Sequence, residues 1–553
     1  MKNLYQQLGI YASMIIMLSS CDQFETQEFH VDKPESIIAQ EERDAYNDLK
    51  SYINRTANPS FHFGSSISLD NYNSKGILHR MLNENFDEVE ASTMNHGAIV
   101  QANGSLALGN WMNLMSTAQA AQTSVFGPAL ISHAGQNAAY LNSLIAPLVI
   151  TGDAARVVVA DFDNDNLGKT YPMTVSGGTN SSTVVVNNIN NTGRVLNVKS
   201  VRSHPQFNVT LPQGRVLGDY VSLTLDMYIT DATGGYGSGM RIFVNGRSGS
   251  YGSALSYVPN RAWGKMTLPL ATMNLTATEK QLNSFTLAVG SETGAGDYFI
   301  DNIAFQDINV TKTPEQKRQI IETELQRWIT TVVDTSKSYV KAWDVVDRPM
   351  DNLNPSQLRT GAGKPTLPAD QFFWQDYLSR DYGVKAFQLA RQHGNQGDKF
   401  FIAEDSLSFN PAKLNGLLGY IGYIEGQGAV VDGISTILNL TISSDKNEIV
   451  TMFQSLAATG KLVRVSKLRV EIPTSTAATN ESYQQQSDMY KYVIQKYFEL
   501  VPVAQRYGIS INGLVEGVDV VSPSRAGIWI NNAQKSYFRK PAYVGVLEGL
   551  SGK

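Results

Sequence analysis

The 553-residue sequence is poor in cysteine and histidine, and these shortages exclude several kinds of protein. It contains one cysteine and seven histidines, so no disulfide framework stabilises the fold. No two histidines have the His-x-x-x-His spacing of a helical metal site, and there is no cysteine cluster. The sequence therefore gives no support to a transition-metal centre, and we predict no cofactor.

Positive charge and long apolar runs are also scarce. Lysine and arginine number 45 against 50 acidic residues, and the net charge of −5 gives no electrostatic basis for binding nucleic acid. Beyond the N-terminus no apolar run is long enough to span a bilayer. The 42% of hydrophobic residues nevertheless suffices for the core of one large or two medium domains.

The single cysteine, Cys21, closes an N-terminal segment that has a lysine, an apolar stretch and two small residues. This order is typical of a secretory signal. Its end, Leu-Ser-Ser-Cys, resembles the bacterial lipobox, which implies a signal at residues 1–21 and a lipid on Cys21. A cleaved signal with an incidental cysteine is the alternative.

Residues 22–45 are predicted to be a solvated tether, because their acidic beginning lacks periodicity. Acidic residues directly after the cysteine also resemble the surface-export signal of Bacteroidota lipoproteins. We therefore expect a surface-exposed lipoprotein of the outer membrane, held there only by its lipid, although the sequence leaves periplasmic anchoring open.

The remaining chain has two kinds of sequence pattern. Strands alternate with amphipathic helices over residues 46–150 and 313–553, whereas residues 151–312 contain short strands separated by Gly, Asn, Asp and Ser. This organisation predicts an α/β fold, one (β/α)8 barrel interrupted by an all-β sandwich. Two unrelated α/β domains beside a sandwich are the alternative. Helix periodicity returns after the sandwich with one apolar face, formed by Ile320, Leu325, Trp328, Ile329 and Val332.

Two motifs support a more specific interpretation. Trp343-Asp344-Val345-Val346 ends a predicted strand, and Lys540-Pro541-Ala542-Tyr543 opens the last predicted helix. In this order they resemble glycoside hydrolase family 10, the retaining endo-β-1,4-xylanases with a TIM-barrel fold. The resemblance covers nearly the whole chain outside the insert. The insert resembles the carbohydrate-binding jelly rolls of families 4 and 22, which gut Bacteroidota carry after the third strand of such barrels.

The resemblance implies that both catalytic glutamates are replaced. The acid/base position falls on Arg348 and the nucleophile position on Lys467. A guanidinium has no proton to give near neutral pH, and an ammonium group cannot attack the anomeric carbon. The resemblance implies that most positions that hold the sugar in the family also differ, being occupied by Ser92, Thr93, Met94, Asn95, His96, Pro128, Ile437, Asn439 and Asn512. His133 matches the last histidine of the family's His-Thr-Leu-x-Trp-His motif.

Two interpretations of Arg348 and Lys467 remain open. In the first they form internal ion pairs, because an unpaired charge in a cleft is costly; the candidate partners are Asp347, Glu404, Asp405 and Glu516. In the second they form a cationic floor that binds an acidic sugar substituent, with Arg469 on the same side of the strand. In either case we expect Pro349 to hold Arg348 in an extended conformation at the strand end.

Three further sets of residues are candidates for binding. His96 and His133 are expected near the same barrel mouth. Asp161, Asp163 and Asp301 of the insert are placed where related jelly rolls hold structural calcium, although Asp-rich turns are common. Insert aromatics can stack on pyranose rings, and about half should be core; they are Tyr220, Tyr228, Tyr236, Tyr251, Tyr257 and Trp263.

These observations predict a catalytically inactive barrel that captures a xylan-like or acidic polysaccharide for a neighbouring outer-membrane glycan transporter. The first alternative is an active endo-β-1,4-glycanase in which other carboxylates, such as Glu404 and Asp405, carry out hydrolysis. The second is a structural adaptor whose cleft binds a protein.

Overall fold

The computed structural model describes residues 33–174, 180–189, 193–199, 203–230, 240–248, 261–291, 297–517, 525–532 and 536–552. Cys21 and three of the candidate aromatics, Tyr236, Tyr251 and Tyr257, lie outside these ranges. Their predicted roles therefore remain predictions. None of the helices in these ranges is both long and apolar enough to cross a membrane.

Eight parallel strands close into a barrel, which confirms the predicted (β/α)8 fold. Each strand pairs with the next one along the chain, and the last, β19, pairs with the first, β1. Numbered along the whole chain, they are β1 (His62–Ile67), β2 (Glu88–Ala91), β3 (Ser124–Gly127), β15 (Val340–Asp347), β16 (Lys399–Asp405), β17 (Gly433–Thr441), β18 (Leu462–Glu471) and β19 (Arg506–Ile511).

Helices surround this barrel and alternate with its strands. The described α-helices are α1 (Glu35–Asp44), α2 (Leu69–Asn73), α3 (Ile77–Asn85), α4 (His96–Ile99), α5 (Gly109–Ala120), α6 (Ala138–Ile145), α7 (Ala277–Lys280, in the insert), α8 (Pro314–Ser336), α9 (Gln375–Leu378), α10 (Asp381–His393), α11 (Pro411–Gly426), α12 (Lys446–Ala457), α13 (Asn480–Leu500) and α14 (Pro541–Ser551). Helix α1 lies in the predicted tether, and none of its residues is buried.

Between β3 and β15 the chain forms two further sheets. One has the strand order β12-β9-β14-β7-β6, with β4 and β5 also paired to β14, and the other has the order β11-β10-β13-β8. The strands are β4 (Leu148–Ile150), β5 (Val157–Ala160), β6 (Ser181–Val186), β7 (Arg194–Lys199), β8 (Gln206–Thr210), β9 (Tyr220–Ile229), β10 (Met240–Val244), β11 (Arg247–Ser248), β12 (Trp263–Pro269), β13 (Ser284–Ser291) and β14 (Asp297–Val310). A short hairpin, β20 (Trp529–Asn531) and β21 (Tyr537–Arg539), follows the barrel strands.

The barrel and the inserted sheets have separate hydrophobic cores. Buried residues of the barrel and its helices form one cluster, and those of the insert form another that runs from Ala155 to Ile308. Separate cores are what an inserted module needs in order to fold around its own apolar residues. Strand β4, which pairs with β14, begins at Leu148, three residues before the predicted boundary at 151.

Helix α8 returns the chain from the insert to the barrel. Thr313 caps it by accepting a hydrogen bond from the Gln316 N–H, and the Gln316 side chain accepts one from the Thr313 N–H. Pro314 follows at the first helical position, where no N–H is needed. The predicted apolar face is confirmed: Leu325, Trp328, Ile329 and Val332 are buried, and Ile320 packs beside them.

Candidate functional site at the barrel mouth

Arg348 lies directly after β15, at the carboxyl end of the fourth barrel strand, and folds back onto its neighbour. Its Nε and Nη2 atoms both bond the Oδ2 atom of Asp347, at 3.0 and 2.9 Å. The Arg348 backbone adopts φ 51°, so the expected extended conformation is wrong. This left-handed turn is held by two hydrogen bonds to the Arg348 main chain: its N–H donates to the Ala403 carbonyl, and its carbonyl accepts from the Arg359 side chain at Nε.

Lys467 lies on β18 at an irregularity of the ladder. Its φ is 56°, and the register between β18 and β19 shifts between Val465 and Leu468. Its Nζ atom lies 3.7 Å from Glu90 Oε1, on β2 across the barrel. Arg348 and Lys467, at the positions that the resemblance assigns to catalysis, therefore both have left-handed backbones. This conformation is costly for a residue with a side chain and often occurs at functional sites.

A cluster of buried charged residues lies inside the barrel, beneath the mouth. Arg464, 1% exposed, donates to Glu90 at 2.9 Å and lies 3.8 Å from Asp344 and 3.9 Å from Glu88. Its guanidinium also stacks 3.6 Å above the Phe126 ring. One buried cation thus serves three buried carboxylates, an arrangement that is destabilised if the cation alone is removed.

The carboxylates of this cluster have different proton affinities. Burial raises the pKa of Asp344 to about 7, although the Arg464 charge opposes this shift and Ser435 donates to the carboxylate at 2.6 Å. Burial also acts on Glu90, but the charges of Arg464 and Lys467 outweigh it and lower the Glu90 pKa. Near neutral pH, Glu90 is therefore the ionised partner of both cations.

Sequence reasoning missed this cluster, although a signal was present. Glu88 and Glu90 alternate along β2, as Arg464 and Ser466 do along β18, and alternate residues of a strand face the same side. In a closed barrel, one of the two sides of each strand faces the interior. Charged residues at alternate positions could therefore have been recognised as an internal network.

Glu404 and Asp405, the alternative catalytic pair, both form ion pairs with a buried lysine. Lys413 on α11 lies 2.9 Å from Glu404 and 2.6 Å from Asp405. Glu404 is fully buried and also accepts the Met350 N–H at 2.8 Å. Burial raises the pKa of Glu404 to about 7, whereas the Lys413 hydrogen bond and charge outweigh burial at Asp405 and lower its pKa. Glu516, another candidate partner, pairs with Lys540 at 2.8 Å.

The two candidate histidines have different positions. His96 is 1% exposed, accepts the Asn137 N–H at Nδ1, and packs against the rings of Trp328 and Trp374. Burial lowers its pKa to about 3, so it is a neutral core residue. His133 stacks on Phe373 with ring centroids 5.7 Å apart and lines a cavity next to Arg348. Burial, reinforced by Arg359 and Arg348, lowers the His133 pKa to about 4.

The cavity beside Arg348 has a volume of about 20 Å³. That is room for about one water molecule, far below the roughly 300 Å³ of a small-molecule pocket. Four buried polar atoms of its lining have no hydrogen-bond partner among the described residues: His133 Nδ1, Asp347 Oδ1, Trp374 Nε1 and Gln375 Oε1. The cavity is therefore polar, but a pyranose ring does not fit inside it.

Two further candidates lie on neighbouring barrel strands. Arg469 forms an ion pair with Glu471 at 2.8 Å on its own strand, β18. Asn439 on β17 is exposed and is the ladder partner of Arg469. A third candidate, Asn512, directly follows β19 and accepts the Ser66 hydroxyl at 2.8 Å.

The three aromatic candidates of the insert that the structure describes differ in burial. Tyr220 is 3% exposed and belongs to the core. Trp263 is half-buried, lies 5.7 Å from the Tyr228 ring and donates its indole N–H to the Ile189 carbonyl at 2.9 Å. Trp263 and Tyr228 therefore form an aromatic pair that is partly exposed to solvent.

The proposed calcium site receives no support from the structure. Across the part of the chain that the structure describes, no group of three or more His, Cys, Asp or Glu residues is arranged to hold a metal ion. Asp163 accepts the Arg194 N–H, and Asp301 accepts the Asn302 N–H. Burial, with Asp163, Asp226 and Asp161 nearby, raises the pKa of Asp301 to about 7.

Comparison with known proteins agrees with this architecture. Residues 304–548 match the model of Glycosyl hydrolase family 10. The chain is 23% identical over 253 residues to endo-1,4-beta-xylanase A of Cellvibrio japonicus, covering 42% of this chain and 40% of that protein. It is also 23% identical over 242 residues to endo-1,4-beta-xylanase A of Thermoanaerobacterium saccharolyticum, covering 42% and 19%. The chain thus spans between a fifth and two fifths of the length of these relatives.

Solved structures share the fold of this chain over most of its length, although their sequences differ widely from it. The Penicillium canescens endo-1,4-beta-xylanase XylE superposes with a TM-score of 0.52 at 11% identity, over 92% of this chain and 98% of that one. Xylanase B from Clostridium stercorarium F9 gives 0.51 at 12% identity, over 91% and 100%. At such low identity the likeness establishes the barrel fold.

Proposed function

We propose that this protein binds a polysaccharide at the barrel mouth and does not hydrolyse it. The observation that carries the proposal is the state of the two catalytic positions. Arg348 bonds Asp347 through two nitrogens, and Lys467 lies beside Glu90. Cations stand where a xylanase of this family needs carboxylates, and both are stabilised there by neighbouring residues.

Retaining hydrolysis requires one carboxylic acid to protonate the leaving oxygen and one carboxylate to attack, with the two groups about 5–5.5 Å apart. Arg348 stays charged near neutral pH, and Lys467 would have to lose its proton while facing ionised Glu90. Positive charge at both places also repels the oxocarbenium-like transition state. The chemistry fails in both steps.

The nearest other carboxylates do not replace the lost pair. Lys413 holds Glu404 and Asp405, and Arg348 holds Asp347. An inverting pair needs about 6.5–9.5 Å between its carboxyl groups, with a water between them. Glu404 is fully buried beneath this face, so it has no access to a glycosidic oxygen.

Binding is supported by the polar character of the mouth. The unpartnered atoms around Arg348 include a donor, Trp374 Nε1, and acceptors such as Asp347 Oδ1 and Gln375 Oε1, and sugar hydroxyls can bond to both kinds of group. Arg348 and Lys467 are one third exposed, at 35% and 32%, so they retain some access to a ligand. The ligand we expect is xylan-like, because the relatives are endo-1,4-beta-xylanases, and it lies above rather than within the small cavity.

For the cellular role, we propose a lipoprotein anchored through Cys21 in the outer membrane that presents glycan to a neighbouring transporter. The half-open pair of Trp263 and Tyr228 offers a second place for sugar to stack. Cys21→Ala should release the protein from the membrane fraction, because the acyl chain is its anchor. Unchanged fractionation would count against the anchor.

The experiment that tests the central proposal measures binding and turnover on one preparation. Xylan, mannan and mixed-linkage glucan are incubated with the protein, and released reducing ends are compared with those from a family 10 xylanase. We expect retarded migration in a gel containing the bound glycan and no release above background. Restoring glutamate with Arg348→Glu and Lys467→Glu together should still give no release, because Ser92, Pro128 and Asn439 no longer orient the sugar.

Two results would contradict the proposal. Turnover by the native protein that disappears in Glu404→Gln or Asp405→Asn would move the chemistry to β16 and favour the glycanase alternative. Absence of binding to every glycan, with a normal thermal melt, would favour the protein-binding adaptor.

A further inference from the structure

A second, larger cavity opens at the opposite end of the barrel from the mouth. Its volume is about 570 Å³, within the usual range of about 300–1,000 Å³ for small-molecule sites. It is lined by the first residues of four barrel strands: His62 of β1, Lys399 of β16, Leu462 of β18 and Arg506 of β19. The cavity therefore lies at the amino ends of the strands, where no part of the proposed glycan site is found.

Arg506 supplies a cation that no described carboxylate balances. Its Nε and Nη1 atoms donate to the Val501 carbonyl at 2.7 Å and to Asn58 Oδ1 at 2.8 Å, and Nη2 donates to the Phe498 carbonyl. All three acceptors are neutral, and two of the five guanidinium N–H groups remain. Burial lowers the Arg506 pKa, as expected for a cation without a charged partner.

The other charges of the lining add to this excess. Lys399 is exposed, and no ion pair or hydrogen bond of its side chain occurs within the described ranges. Asp432 is the one carboxylate that lines the cavity, and it is already bound to Arg391 at 2.5 Å and to the Phe400 N–H at 2.8 Å. Lys399 and Arg506 thus leave two positive charges unbalanced at the cavity.

Apart from Asn58 and Ser60, the remaining walls are mostly apolar and aromatic. Phe61, Leu462 and Val503 line one part, and the His62 ring stacks on the Tyr507 ring at 5.0 Å. An inorganic ion would leave most of this surface in contact with water. A ring-sized apolar body would cover it, since apolar surface favours removal from water.

We propose that this cavity binds a small amphipathic anion, a carboxylate or phosphate monoester attached to an apolar ring. The acid group lies between Arg506 and Lys399, and the ring lies against Leu462, Val503 and the stacked His62 and Tyr507. This site is separate from the barrel mouth and does not depend on the proposed glycan function.

Isothermal titration with four probes tests the proposal on the full chain: benzoate, phenyl phosphate, benzyl alcohol and inorganic phosphate. We expect benzoate or phenyl phosphate to bind, with the stronger of the two identifying the acid group. Benzyl alcohol lacks the charge and inorganic phosphate lacks the ring, so both should bind at least about tenfold more weakly, as expected when one charge-assisted hydrogen bond or an equivalent apolar contact is lost.

Variants then locate the site. Lys399→Gln should weaken binding of the preferred probe about tenfold, whereas Lys280→Gln, an exposed lysine of helix α7 in the insert, should leave it unchanged. Arg506→Gln should abolish binding of the preferred probe. Because Arg506 also donates to three neutral acceptors, the thermal melt of this variant is measured as a folding control. If Arg506→Gln unfolds, the affinity of Lys399→Gln alone tests the site.

The proposal is overturned if neither ring-bearing anion binds, if benzyl alcohol binds as well as benzoate, or if Lys399→Gln and Lys280→Gln have equal affinities. Glycan retardation by Lys399→Gln should match that of the native protein. Loss of glycan binding alone therefore refutes the proposed function and leaves this site standing.

Discussion

The cations at the two ends of the barrel have different kinds of partner. At the carboxyl ends of the strands, four cations have an acidic partner: Arg348 with Asp347, Lys467 with Glu90, Lys413 with Glu404, and Arg469 with Glu471. Arg359, which also lies there, donates to the Arg348 carbonyl and to Asn352. At the amino ends, Arg506 donates to neutral atoms, and Lys399 has no ion pair in the described ranges. A cation held by a carboxylate stabilises the fold, whereas one held by neutral groups remains available to an external anion.

This comparison also explains how the mouth accommodates positive charge. A cation in a site rich in carboxylates gains partners instead of repulsion. Glu90 and Asp347 are such partners, and both have pKa values below normal because nearby cations outweigh their burial. The interpretation of Arg348 and Lys467 as internally paired residues is therefore the one that the geometry favours.

The largest expected effect comes from removing the central cation below the mouth. Arg464→Met leaves Glu88, Glu90 and Asp344 buried without their shared partner, and the free energy of unfolding should fall by about 3–5 kcal/mol. Chemical denaturation measures this. Arg318→Met, which removes an exposed arginine paired with Glu315 and Glu322 on α8, is the control and should change stability little. Equal losses in both variants would show that the internal cluster has no special role.

Lys413 offers a second test of pairing at the mouth. Lys413→Met should cost about 3 kcal/mol, because Glu404 then remains buried without a charged partner. Adding Glu404→Gln should recover part of this loss, since the unpaired charge is removed. The free energies of unfolding of both single variants and the double variant form a cycle. Additive losses would mean that Lys413 does not stabilise Glu404.

The pH dependence of stability tests Asp344. Its folded pKa of about 7 exceeds that of an unfolded aspartate, about 3.9, so the folded protein binds this proton more tightly. The stability that follows is fully present below about pH 4 and is lost as pH rises through 7. Between these values Asp344 should lower the free energy of unfolding by up to about 1.4 kcal/mol per pH unit.

Asp344→Asn should remove this one-proton contribution. Denaturant unfolding of the native protein and the variant at several pH values between 4 and 8 measures the difference in slope. Parallel pH profiles would contradict the raised pKa of Asp344. Glu404 and Asp301 also carry raised pKa values and remain in both proteins, so they do not affect the comparison.

The smallest effect concerns salt. If the cations of the mouth are internally paired, glycan affinity should change less than about twofold between 50 and 500 mM NaCl, because few charges are free to attract the ligand. Benzoate binding at the amino ends should weaken clearly over the same range. A steep salt dependence of glycan binding, together with a loss in Arg348→Ala beyond that in Lys467→Ala, would support the acidic-glycan interpretation instead.

Sequence patterns predicted much of the architecture because they report local periodicity. The apolar face of α8, the strand that ends at Asp347 and the short strands of the insert all follow from spacing within one segment. The conformation of Arg348 was predicted wrongly. Pro349 disfavours a helical preceding residue, but bonds to Ala403 and Arg359, both distant in sequence, stabilise a left-handed turn.

By itself, the sequence determined which charges stand at positions 348 and 467, the two positions that the resemblance to family 10 assigns to catalysis. It also determined the alternation of strands and helices that builds the barrel. Only the tertiary structure decided that Lys467 approaches Glu90 from a strand 377 residues away in the chain and that Arg464 lies near three carboxylates. It also decided that Arg506 pairs with no carboxylate among the described residues. The physical reason is that a residue type fixes a charge, whereas closure of the barrel brings distant strands together and thereby fixes what that charge meets.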